Sequence, residues 1–198
     1  MLVVGNHAPT RGDALLIVDV QRDFLPGGAL AVAGGDAIIP ALNACAQAFA
    51  AAGLPVFATR DWHPPQHCSF RAQGGPWPVH CVAGTAGAEF PAELALPDTA
   101  RVISKGALAT EEAYSGFQGT DLAEQLRALG CRRLFVGGLA TDYCVRATAK
   151  DALRSGFAVV VLEDAIGAVD VHAGDGARAL AELRAHGAGM ARWNQVAS

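Results

Sequence analysis

"FVGGLATDYCVRATAKDAL", residues 135–153, opens as an apolar run, passes Gly137-Gly138 and becomes a helical pattern that Thr141-Asp142 is placed to cap. A strand delivered through glycines straight into a helix is the building unit of a parallel α/β sheet. The same alternation extends to either side. Apolar runs occur at 14–20, 54–60, 101–105, 133–139 and 157–165, with a shorter one at 187–193. Most are continuous rather than alternating, as expected of strands covered on both faces. Helical patterns fill 36–53, 120–130, 141–156 and 174–187, and glycine is their common stop. The expected architecture is α/β, a largely parallel sheet between layers of helices.

The composition agrees with a packed domain. At 198 residues, 52% hydrophobic and 17% charged, the chain can bury a full core without disulfides or structural metal. Its formal charge of −4 and scattered Lys and Arg give no basic stripe, so nucleic acid is not an expected partner. No apolar run approaches the roughly 20 residues that cross a bilayer, and "MLVVGNHAPTRGD" lacks the positive leader and apolar region of a signal peptide. Residues 1–13 read as a short extension before a single domain at 14–198, and the expected location is cytoplasmic. Five cysteines, at 45, 68, 81, 131 and 144, form no CxxC pair and are odd in number, which agrees with a reducing compartment.

In an open parallel sheet the crevice lies outside the carboxyl ends of the strands. The residues at those ends are Asp19, then Asp61 with Trp62 and His63, then Lys105, and finally "GGLATDY" leading to Cys144. Each has a plainer explanation taken alone: an Asp as a turn former, a Lys in solvent, a Cys as a small buried hydrophobe. Four plain explanations at four strand ends are less economical than one site. Cys144 in the first turn of a helix would meet unpaired N–H groups and a positive dipole end, both favouring thiolate, and a nearby Lys would add to this. The same N–H groups could hold a developing oxyanion, and Asp19 could take the thiol proton. In "RDWHPPQH" Asp61 and His63 point the same way if the segment is extended, which suits two ligands on one metal. His80 in "GGPWPVHC" is a third candidate and His67 a fourth. One Asp and two His suit zinc, iron(II) or manganese. An equally weighted reading has these histidines satisfying loop hydrogen bonds. The segment 61–100, rich in Gly, Pro, His and Trp, has no strong period, and long structureless segments in compact domains are usually functional.

Taken in order, "LLIVDVQRDFLPGGALAV", "ATRDWHPPQHCSF", "GGPWPVHCVAGTAGAEF", "SKG", "EEAYSGFQGTDLAEQLRALG" and "VGGLATDYCVRATAKDAL" resemble the nicotinamidase branch of the isochorismatase-like cysteine hydrolases, from about Ala14 to Trp193. The resemblance implies a three-layer α/β/α sandwich on a six-stranded, mostly parallel sheet. It implies an amidase that converts nicotinamide to nicotinate and ammonia, and acts on pyrazinamide as well. Carried onto matching positions, Asp19, Lys105 and Cys144 would form the catalytic triad, and Asp61, His63 and His80 would hold one divalent metal, zinc before iron or manganese. Backbone N–H groups of Ala140 and Cys144 would form the oxyanion hole, with a cis peptide at Leu139–Ala140. Phe24 and Trp77 would wall the substrate pocket, with Tyr114 close by. His67 is a ligand in only some relatives with different loop spacing. Relatives also vary in assembly, so a homo-oligomer stays open. Other branches hydrolyse N-carbamoyl compounds or other small amides, generally without the metal site. A metallohydrolase with metal-bound water as nucleophile is a further alternative.

Overall fold

The computed structural model of the chain describes residues 8–193. Residues 1–7 of the expected extension and residues 194–198 at the end of the expected domain lie outside the described residues. Six strands, β1 Asp13–Val18, β2 Val56–Asp61, β3 Arg101–Lys105, β4 Arg133–Leu139, β5 Ala158–Gly167 and β6 Gly189–Ala191, form one sheet. Their order is β3-β2-β1-β4-β5-β6, and every neighbouring pair is parallel.

Why these runs are continuous is visible in β1, where every residue is buried. Leu15 and Ile17 pack on one face with Leu42, Cys45 and Phe49 of helix α1 (Ile39–Ala51). Leu16 and Val18 pack on the other face. There they join Leu122 and Leu126 of α2 (Leu122–Ala128), Ala149 and Ala152 of α3 (Arg146–Arg154) and Leu183 of α4 (Asp175–Ala185). Each fully buried Leu or Phe contributes about 1.5–3 kcal/mol, so both faces must be apolar for the central strand to hold. The helix expected at 36–53 begins with a 3-10 turn, Gly35–Ile38, and Pro40 then falls in the first turn of α1, where its missing N–H costs no helical bond.

Two local departures shape the site. The helix expected at 141–156 is broken into a π-helical turn, Thr141–Val145, followed by α3. Strand β5 runs past its expected end at 165 to Gly167, because its pairing with β4 jumps between Val136 and Gly138 and resumes at Ile166. Gly138 makes the jump possible: its φ is +121°, and a Cβ there would lie 2.0 Å from the Val18 carbonyl oxygen. The strand order reverses between β1 and β4, and a crevice opens at such a switch point.

Candidate active site at the sheet switch point

Because all six strands are parallel, their carboxyl ends share one edge. Asp61 and Lys105 are register partners in β2 and β3. Asp19 follows β1 with φ +49°, a left-handed conformation that Asp tolerates better than most residues. Lys105, buried to 1% exposure, is the centre of the cluster. Its Nζ lies 2.5 Å from Asp61 Oδ1, 2.8 Å from Asp19 Oδ2, 2.9 Å from the Ala113 carbonyl oxygen and 3.6 Å from Cys144 Sγ. Thr59 Oγ1 donates to Asp19 Oδ1 at 2.6 Å. Asp19 Oδ2 pairs with the ammonium and is the carboxylate oxygen that Thr59 leaves free. Asp19, Asp61 and Cys144 each bring a ligand-type atom within 4.8 Å of the others.

Two carboxylates around one ammonium divide its charge unequally. Burial pushes both upward, but Lys105 and His63 hold Asp61 well below the usual carboxylate range. Asp19 ends above that range, since burial and the charge of Asp61 outweigh Lys105. Burial lowers Lys105, yet the two carboxylates more than compensate and keep it charged. A raised carboxyl beside a fixed charge pair is the setting of a proton shuttle. Cys144 is subject to opposing influences. Burial, with Asp19 and Asp61 opposing Lys105, pushes its thiol well above the ordinary value.

The turn that carries Cys144 also departs from an ordinary helix start. Tyr143 and Val145 N–H groups, on either side of Cys144, both donate to the Ala140 carbonyl, at 3.0 and 3.1 Å. Thr141-Asp142 makes no side-chain cap. Buried Asp142 instead accepts the N–H groups of Val169 and Asp170, at 3.0 and 2.9 Å, and ties the segment after β5 to the turn. The peptide Leu139–Ala140 is cis.

Asp61, His63 and His80, all buried, bring ligand atoms within 4.8 Å of one another. His63 Nδ1 is 2.9 Å from the Gly106 carbonyl oxygen and His80 Nδ1 is 2.8 Å from that of Pro78. A ring nitrogen facing a carbonyl carries the proton, so Nε2 of each ring is the atom a cation would take, the usual arrangement of a ligating histidine; His63 Nε2, 3.6 Å from Asp61 Oδ2, holds a proton more readily than an ordinary imidazole until a cation displaces it. Burial also lowers His80, favouring the neutral ring. This donor set fits one divalent metal ion. His67 does not join it. Its Nδ1 is 2.7 Å from Ser69 Oγ and its Nε2 is 3.0 Å from the Glu111 carbonyl oxygen, so both nitrogens are engaged while its ring stacks on His63 at 4.0 Å.

Above this floor lies a pocket whose walls include Phe24, Trp77, Tyr114 and Tyr143, with Asp61, His80, Ala140 and Cys144 at its base. Trp77 Nε1 donates to Tyr114 Oη at 2.9 Å, and the Trp77 ring meets Tyr143 edge to face at 5.1 Å. Its mainly apolar and aromatic lining, with a few polar groups, suits an apolar ring carrying a small polar group.

The isochorismatase domain model matches residues 13–195. The chain belongs to the isochorismatase family. Among its relatives, the nicotinamidase of Escherichia coli (strain K12) is 37% identical over 207 residues, covering 92% of this chain and 97% of the relative. The crystal structure of the pyrazinamidase of Pyrococcus horikoshii in complex with zinc has a TM-score of 0.88 and 51% identity, over 91% of this chain and 99% of that one. PnC1 from L. infantum in complex with nicotinate also has a TM-score of 0.88, at 41% identity over 95% and 96% of the two chains. No helix among the described residues is long and apolar enough to cross a membrane.

Within this family fold, sequence reading passed over Leu30, Val32, Leu139, Tyr143 and Val169, which complete the pocket lining. Leu30 and Val32 alternate in "GGALAV" just after β1, a weak signal of a shared face. Val169 was hidden by the unexpected length of β5.

Proposed function

We propose that the chain is a nicotinamidase: an amidohydrolase that converts nicotinamide to nicotinate and ammonia through a thioester on Cys144. The observation that carries this reading is the junction at one strand edge of Asp19, Lys105 and Cys144 with Asp61, His63 and His80, beneath an aromatic pocket. The relatives named nicotinamidase and pyrazinamidase support the substrate class.

The ring enters between Phe24 and Trp77, with Tyr114 behind, and presents its carboxamide carbon to Cys144. Asp19 takes the thiol proton as sulfur attacks, which removes the need for a thiolate at rest. N–H groups of Ala140 and Cys144 hold the oxyanion, a contribution worth about 10²–10³ in rate per donor in comparable sites. Asp19 returns its proton to departing ammonia and then serves as base for the water that cleaves the thioester. Lys105 keeps opposite charge beside Asp19 through both proton transfers. Asp61, His63 and His80 would hold a divalent metal, zinc first, which would supply Lewis-acid character to the pocket. The reading extends to pyrazinamide, to NAD salvage in the cytoplasm, and to one hydrolase domain at 14–198 behind a short leading segment; a homo-oligomer is compatible with it.

Ammonia release from nicotinamide, measured before and after chelation and zinc restoration, tests the reading. Turnover that falls on chelation and returns with zinc is expected. No turnover of nicotinamide, with hydrolysis of an N-carbamoyl substrate instead, would move the chain to another branch of the family.

A further inference from the structure

The segment that follows β1 does more than carry Asp19 and Phe24. We infer that Gln21 and Asp23 are positioning residues that together hold all three candidate metal ligands in place through their backbones, without touching a metal; this rests on the metal site of the proposed function. Gln21 is fully buried. Its Oε1 accepts the Asp61 N–H at 2.7 Å, and its Nε2 donates to the Asp61 carbonyl at 2.8 Å and to the Ala88 carbonyl at 2.8 Å. The amide thus grips both backbone groups of one residue, 40 positions away in sequence, as a neighbouring strand would.

Asp23 performs the same service for the histidines. Its Oδ2 accepts the Cys81 N–H at 2.7 Å, next to His80, and its Oδ1 accepts the Ala29 N–H at 3.3 Å. Cys81 has φ +46°, a conformation a non-glycine residue keeps only when its surroundings impose it. The Cys81 carbonyl in turn accepts the His63 N–H at 3.0 Å, and the His63 carbonyl accepts the Ala83 N–H at 2.8 Å. Both histidines therefore hang on the Cys81 backbone that Asp23 anchors. Gly87 leaves room for this: a Cβ at that position would lie 2.2 Å from Asp23 Oδ2. Ala88, beside it, supplies the third bond of Gln21. One short segment, 19–24, thereby joins the proton shuttle, the ligand supports and the Phe24 wall.

Outer supports of metal ligands typically change affinity 10–100-fold when removed. The experiment is zinc affinity of the full-length protein, measured by competition with a chromophoric chelator, for wild type, Gln21→Glu, Asp23→Ala, Asp23→Asn and Gly87→Ala. Gln21→Glu retains the acceptor but loses both donated bonds. Gly87→Ala leaves Gln21 and Asp23 intact and displaces the Asp23 carboxylate. At least tenfold weaker zinc binding is expected in Gln21→Glu, Asp23→Ala and Gly87→Ala, with nicotinamide kcat restored at saturating zinc. Asp23→Asn, whose amide oxygen still accepts the Cys81 N–H, should stay within about threefold of wild type. Affinity within twofold of wild type in Gly87→Ala and Gln21→Glu overturns the inference, as does an Asp23→Asn loss equal to that of Asp23→Ala, and so does a wild type that binds no zinc. A wild type that binds zinc but does not release ammonia from nicotinamide sinks the proposed function and leaves this inference standing on the affinities.

Discussion

Replacing Lys105 with methionine removes the single cation between two buried carboxylates while keeping most of the side-chain volume. The ammonium makes contacts at 2.5 and 2.8 Å with Asp61 and Asp19, and all three side chains are at most 6% exposed. Water cannot take over the lost charge. Breaking a buried pair by removing one partner costs about 3–5 kcal/mol. For a chain of this size that corresponds to a fall in Tm of about 6–20 °C. Circular dichroism melts of the metal-free protein, in which no ion at Asp61 offsets the lost charge, read this directly. The double variant Lys105→Met with Asp19→Asn should melt above Lys105→Met alone, because it also removes one of the stranded carboxylates, yet it should remain inactive. Such recovery is the mark of coupled groups. A single variant within about 2 °C of wild type would refute the reasoning, as would a double variant whose losses simply add.

Other outcomes follow from the same geometry. Gly106→Ala should weaken zinc binding at least tenfold, since Gly106 has φ +64° and the new Cβ would sit 2.5 Å from His63 Cε1; chelator competition unchanged from wild type would contradict this. Asp142→Ala strands two N–H groups and should destabilise by about 2–5 kcal/mol, with KM for nicotinamide rising as Val169 leaves the pocket wall, so an unchanged KM counts against that placement. Asp13 accepts two bonds from Arg133, at 2.8 and 2.6 Å, and although burial raises it, Arg133 and Thr10 hold it below its ordinary 3.8. Its stabilisation is present above that ordinary value and is lost as pH falls through the lower folded one. Asp13→Asn should therefore lose stability at neutral pH and show a shallower acid limb below about pH 3.8; urea melts with identical acid limbs for both proteins would oppose it.

How far the fold could be read from the chain depended on period. Strand β1 and its neighbours are covered on both faces, so their runs are continuously apolar and stand out against the helical patterns. The site was legible because parallel strands bring Asp19, Asp61, Lys105 and Cys144 to one edge, and each falls where an apolar run stops. The π-turn at Thr141–Val145 left no such trace, since it preserves the residue types of a helix start. Asp142 looked like a cap for the same reason, while its bonds go to Val169 and Asp170, 27 and 28 residues on. Gln21 and Asp23 act on backbone 40 and 58 residues away, and no local spacing encodes that. His67 was left among the candidate ligands because sequence shows a histidine but not the Ser69 and Glu111 groups that engage both its nitrogens. At Cys144 a helix start and one Lys favour the thiolate, while burial and two nearby carboxylates oppose it, a balance that no local spacing encodes.

The proposed chemistry stands on Cys144 as the nucleophile, and rapid acid quench during nicotinamide turnover followed by peptide mass spectrometry tests that most directly. A nicotinoyl adduct on the peptide containing Cys144, absent from Cys144→Ala together with ammonia release, is the predicted result. Full turnover by Cys144→Ala, with no adduct on any cysteine of the wild type, would contradict it.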